Sequence, residues 1–155
     1  MYKKILVPLD GSELAECVLP YVESIARGCE VQTVVFLQVV EPAYLPTGKA
    51  FTDSTQEYIE RINSENQAAA KKYLDELVSR TKYDGVNIQS EVLTGQAAES
   101  IAEYAEKNEI DLIAIATHGL SGVSHWVWGS VAERILRSAC VPVLMVRAPG
   151  CVPGF

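Results

Sequence analysis

The sequence predicts a doubly wound α/β domain: five parallel strands in the order 3-2-1-4-5, with helices on both faces of the sheet. Three observations lead there. Apolar, β-branched runs alternate along the whole chain with segments of helical periodicity, in the order βαβαβαβαβ, the pattern of a parallel sheet covered on both sides. Three runs, ILVPL, VVFLQVV and LIAIA, are almost continuously apolar and suit central strands. VNIQSEV alternates and VPVLMVR carries Pro142, so strands three and five belong at the edges. With right-handed crossovers, 3-2-1-4-5 is then the simplest order.

Each element has its own signal. KKILVPL (3–9) is the first strand and ends at Asp10-Gly11-Ser12. Leu14, Val18, Val22 and Ile25 then recur at helical spacing, with Ser12 as candidate N-cap and Gly28 near the end. VQTVVFLQVV (31–40) is the second strand. Pro42, Pro46 and Gly48 mark residues 41–53 as loop. A long helix over 55–81 places Ile59, Ile62, Ala69, Tyr73 and Leu77 near one face. VNIQSEV (86–92) is the third strand. A helix over 97–107 follows Gly95, and DLIAIA (111–116) is the fourth strand. A glycine-punctuated loop leads to a helix over 130–139, and VPVLMVR (141–147) closes the sheet. The domain is expected to span 1–148, with 149–155 as a short tail.

The bulk composition narrows the function. The chain has 155 residues, 48% of them hydrophobic, enough for one domain with a full core. A net charge of −7 argues against nucleic acid as a partner. The opening MYKKILVPLDGS holds too short an apolar run for a signal-peptide core. No run approaches the ~18 apolar residues of a membrane span, so a cytoplasmic protein is expected. Cys17, Cys29, Cys140 and Cys151 form no C-x-x-C pair, which fits idle thiols better than a disulfide framework or a zinc site.

The order 3-2-1-4-5 reverses direction between strands one and four, and ligands of open α/β sheets bind at the carboxyl ends of such a pair. Strand one ends at Pro8-Leu9-Asp10. Strand four ends at Ala116, where ATHGLSGVSHWVWGSV (116–131) begins. Glycines let backbone N–H groups converge closely on phosphate oxygens. A helix opening at Gly129-Ser130 would add unpaired donors and the positive end of its dipole. The loop is neither G-x-x-x-x-G-K-[ST] nor G-x-G-x-x-G. On spacing alone it can equally be a structural turn.

The same segment resembles the universal stress protein family, whose ATP-binding members carry G-x-x-G, nine residues, then G-[ST]. Here the motif reads Ala116-Thr117-His118-Gly119, nine residues from Leu120 to Trp128, then Gly129-Ser130. KKILVPLDGS, LQVV, LTGQAAESIAEYAEKNEIDLIAIATHG and AERILRSACVPVLMVR resemble the family's flanking segments, so the resemblance covers about residues 2–147. It implies ATP in the crevice; because the loop holds no lysine and the chain is acidic, Mg²⁺ or Mn²⁺ is expected to travel with the nucleotide. Pro8, Leu9 and Asp10 then lie near adenine and ribose, with Asp10 accepting from a ribose hydroxyl, and Val39 touches adenine. Ile115, Ala116 and Gly119 form the first part of the phosphate loop, and Gly129, Ser130 and Val131 the second. Alanine at the first motif glycine is harmless if that position keeps an ordinary backbone conformation. The resemblance also implies a homodimer paired through the fifth strand, Val141 to Val146.

Ser130, His118 and Asp10 could be drawn as a hydrolase set, but no G-x-S-x-G elbow is present. No catalytic residue is therefore assigned. The chain reads as a nucleotide-dependent sensor or binding module in stress response. A member acting through protein contacts without nucleotide, or a very slow ATPase, is the alternative.

Overall fold

The computed structural model describes residues 2–44, 53–117 and 130–147. The strands are β1 (Lys4–Pro8), β2 (Thr33–Val40), β3 (Asn87–Thr94), β4 (Leu112–Ala116) and β5 (Val143–Val146). They form one parallel sheet in the order β3-β2-β1-β4-β5, as the sequence predicts. The helices are α1 (Leu19–Cys29), α2 (Asp53–Arg80), α3 (Ala97–Lys107) and α4 (Ser130–Ser138).

The period-two alternation of the strands sorts their side chains between two cores. Ile5, Val7, Val34, Phe36, Leu112 and Ala114 face α1, the turn that precedes it and α2, where Val18, Val22, Leu74 and Leu77 meet them. Leu6, Val35, Leu37, Ile113 and Ile115 face α3 and α4, against Ile101, Ala105, Ala132 and Ile135. Both layers are anchored by fully buried side chains, Phe36 and Leu74 on one side and Leu6 and Ile135 on the other. At the start of the sheet the Asp111 carboxylate accepts from the Lys3 and Lys4 N–H groups at 2.8 and 2.9 Å. It fastens the entry of β1 to that of β4.

Three local features differ from the sequence expectation. The first helix does not run unbroken from Ser12. Ala15–Val18 is a 3-10 turn and the α-helix starts at Leu19. Pro20 is the reason: it has no N–H to give to the carbonyl four residues back, so the α pattern begins where proline occupies its first turn. Ser12 still acts as a cap, accepting from the Ala15 N–H at 3.2 Å. The fifth strand begins after Pro142, whose carbonyl accepts from the Ile113 N–H at 3.0 Å. On α2 the buried stripe is Ala70, Leu74 and Leu77, and Ala69 is exposed.

Candidate functional site

β1 is the central strand, and its two sides behave differently. Toward β2 it pairs along its whole length, Lys4 with Thr33 through Pro8 with Leu37. Leu9 continues the ladder with a 2.8 Å bond from its N–H to the Leu37 carbonyl. Toward β4 the paired residues are Ile5 with Leu112 and Leu6 with Ile113, and there the register ends. In a parallel strand successive residues address opposite neighbours. Leu9 addresses β2, so Pro8 stands where an N–H would address β4, and proline has none to offer. The β1–β4 ladder therefore stops at the carboxyl half of the sheet, where the strand order reverses.

The turn beyond Pro8 is organised by Asp10. Its Oδ1 accepts from the Ser12 backbone N–H at 3.0 Å and from the Ser12 hydroxyl at 2.6 Å. Gly11, between them, has φ +86°, in the region where a side chain costs most. The turn places Asp10 and Gly11 at the mouth of an open cleft of about 470 Å³, which Gln38, Val39 and Glu41 of the β2 end also line. The opposite wall is α2, through Asn66, Ala69, Ala70 and Tyr73. The small side chains of Ala69 and Ala70 leave this space between helix and sheet.

The wall is braced. The Tyr73 hydroxyl donates to Glu16 Oε1 at 3.0 Å, and the Arg80 guanidinium donates to the other Glu16 oxygen at 2.6 Å. Burial, then the negative charge of Glu16, holds the Tyr73 phenol well above its ordinary range. Tyr73 thus stays a neutral donor tying α2 to the turn before α1. The titratable groups lining the cleft are Asp10, Glu41 and the tyrosine, with no lysine or arginine among the described lining residues. Within it, Gln38 Oε1 is buried without a hydrogen-bond partner.

Of the residues expected at the site, Asp10 and Val39 line the cleft. Pro8 and Leu9 are buried directly beneath the Asp10 turn. Ile115 and Ala116 are buried in β4, in register with Met145 and Val146. Ala116 is not among the residues of positive φ, so this strand position makes no conformational demand for glycine. Ser130 is the first residue of α4, and Val131 packs against the core of that face. Gly119 and Gly129 lie outside the described residues. The sequence reading did not single out Gly11, Gln38, Glu41, Asn66 or Tyr73 for the site. The available signal was Gln38, a lone amide in the run VVFLQVV.

A smaller cavity of about 270 Å³ lies next to this one along the carboxyl edge. Glu41, Pro42, Tyr44, Gly95, Gln96 and Arg134 line it, and Arg134 pairs with Glu99 across the α3–α4 interface.

Known proteins give this arrangement a context. A universal stress protein of Methanocaldococcus jannaschii, MJ0531, is 35% identical over 152 residues, covering 96% of this chain and 84% of that protein. The solved structure of MJ0577 superposes with a TM-score of 0.83 at 25% identity, covering 97% of this chain and 99% of that one. The structure of UspA from Lactobacillus plantarum shares the fold with a TM-score of 0.76 at 24% identity, over 94% and 98% of the two chains. Other solved structures of this fold were determined as complexes: a universal stress protein with cAMP, one from Arabidopsis thaliana with AMP, and one from Archaeoglobus fulgidus with dAMP. The universal stress protein family itself matches residues 1–147. This chain belongs to the universal stress protein family.

Proposed function

We propose that this chain binds ATP at the carboxyl edge of the sheet and works in the cytoplasm as a nucleotide-dependent binding module rather than as a catalyst with ordinary turnover. The observation that carries the reading is the cleft beside the point where the β1–β4 ladder stops. Adenine nucleotides in the related complexes support it. The acidic cleft wall suits the nucleoside end, whose hydroxyl and amino groups donate hydrogen bonds. The triphosphate belongs on the other side of the switch point, toward the α4 N-terminus, whose unpaired N–H groups and dipole favour anions. With no basic side chain lining the described cleft, Mg²⁺ or Mn²⁺ held by phosphates and water would offset the charge.

Thermal unfolding with Mg-ATP tests this. A ligand at ~100 times its Kd stabilises the fold by about 2.7 kcal/mol, which raises Tm by several degrees in a domain of this size. Denaturing protein purified without added ligand should release an adenine nucleotide. No shift and no binding heat would rule the reading out, and a turnover of ~1 s⁻¹ or faster would rule out a pure binding role.

A further inference from the structure

We infer that Gln38 is a specificity residue of this cleft, and that its Oε1 accepts a hydrogen bond from the nucleoside part of the ligand, through a hydroxyl or an exocyclic amino group. The inference rests on the nucleotide reading above. Gln38 sits on β2 between Leu37, which is fully buried, and Val39. Its preceding neighbours on the same face of the strand, Val34 and Phe36, are fully buried core residues. An amide at this position costs stability unless both ends of it are satisfied. Yet Gln38 Oε1 is buried with no partner, while the residue lines the cleft. A glutamine that served the fold would have had its oxygen satisfied by α2 or by the β1 turn.

The neighbourhood says what the missing partner must be. Asp10 and Glu41 line the same cleft with carboxylate oxygens, so a ligand acceptor set against Gln38 Oε1 would meet repulsion. A donor would be welcomed. Gly11 keeps the amide accessible: a Cβ there would stand 3.8 Å from Gln38 Nε2, whereas the glycine puts no side chain above it. The Tyr73 hydroxyl, whose proton goes to Glu16, does not supply the missing donor. Together these features select a neutral, donor-bearing group and disfavour a phosphate or a carbonyl in this part of the cleft.

Calorimetric titration of the full chain and of Gln38→Met, with ATP, 2′-deoxy-ATP, 3′-deoxy-ATP and inosine triphosphate, tests the inference. Methionine keeps the length of the side chain and removes the acceptor. ATP binding should weaken about three- to tenfold, the worth of one hydrogen bond, while Tm of the ligand-free chain stays the same or rises. If the ligand donor is a hydroxyl, the unmutated chain prefers ATP to a deoxy analogue and the variant loses that preference. If the donor is the amino group, the preference lost is that over inosine triphosphate, which carries a carbonyl in its place. Gln38→Leu provides a second variant, with circular dichroism to confirm its fold. ATP binding and analogue preferences unchanged in both variants would overturn the inference and leave the nucleotide reading standing. Preference for inosine triphosphate over ATP in the unmutated chain, together with no discrimination against either deoxy analogue, would overturn it as well. Failure of the unmutated chain to bind any of the four would remove the nucleotide reading, and the inference with it.

Discussion

Replacing Gly95 with alanine should destabilise the fold through two separable costs. Gly95 joins β3 to α3 and donates its N–H to the Val40 carbonyl at 3.1 Å, so the junction cannot relax without losing a bond next to the cleft. Its φ is +153°, a conformation that costs a residue with a side chain about 1–3 kcal/mol. In addition, a Cβ would lie 2.7 Å from Ser100 Oγ. That contact is with a hydroxyl that can rotate, so its relief costs about 0.5–1.5 kcal/mol, the price of a poor rotamer. The sum is about 3 kcal/mol, and at about 2–4 °C per kcal/mol for a domain near this size Tm should fall by about 6–12 °C. Ser100→Ala removes the clash and leaves the backbone strain. A double-mutant cycle followed by urea unfolding should thus return about 1 kcal/mol of the loss and no more. A neutral Gly95→Ala, or complete recovery by Ser100→Ala, would refute the reasoning, since either result would mean that the backbone conformation carries no strain.

Three further outcomes are expected. Leu74→Ala should cost about 3 kcal/mol, because the side chain is fully buried against the sheet and leaves a cavity; a loss under about 1 kcal/mol in chemical denaturation would contradict the packing described. Tyr83 donates to the Leu19 carbonyl at 3.1 Å, and burial, then the charge of Glu23, pushes its pKa up to about 12. A raised folded-state pKa means the neutral phenol contributes fully below pH 10, and the contribution is lost as pH rises from 10 through 12. Tyr83→Phe should therefore cost more at pH 9 than at pH 11.5, and a cost independent of pH would contradict this. Finally, Val143, Leu144 and Met145 are only half-buried on the edge strand β5, which invites pairing with a second copy. Light scattering should give about twice 16.9 kDa, and Leu144→Lys or Met145→Lys should halve it while circular dichroism is retained. A monomeric unmutated chain, or a dimer indifferent to both lysines, would place the interface elsewhere or exclude it.

The strand order was legible because it follows from a contrast among strands: continuous apolar runs in the centre, an alternating run and a proline-led run at the edges. Helix boundaries were less so. Pro20 is a local chain-breaking signal, but Leu14, Val18 and Val22 keep their helical spacing across a 3-10 turn, so periodicity alone hides the break. The site divides in the same way. Asp10 could be anticipated because it follows β1 at the switch point, and Val39 through the family resemblance. The α2 wall could not, since Asn66, Ala69 and Tyr73 join the cleft only through the docking of a helix about 30 to 60 residues away in the chain. Gln38 was visible as an amide in an apolar run, but its meaning came from the unsatisfied oxygen, which only tertiary structure reveals.

Pro8 has an energetic consequence for any molecule that enters between β1 and β4. A gap that opened only on binding would first require ladder hydrogen bonds to break, and that work would be deducted from affinity. Here the imino acid means one of those bonds was never available. The missing bond is covalently encoded and absent before any encounter, so the ligand's contacts need not be spent on breaking it. At the other end of the same two strands, the Asp111 carboxylate clamps the Lys3 and Lys4 N–H groups. The pair is thus fastened at its base, while at its tip the ladder lacks the bond that residue 8 would have given. Restoring an N–H with Pro8→Ala should let the ladder extend by one bond, and stopped-flow mixing should then show slower nucleotide association.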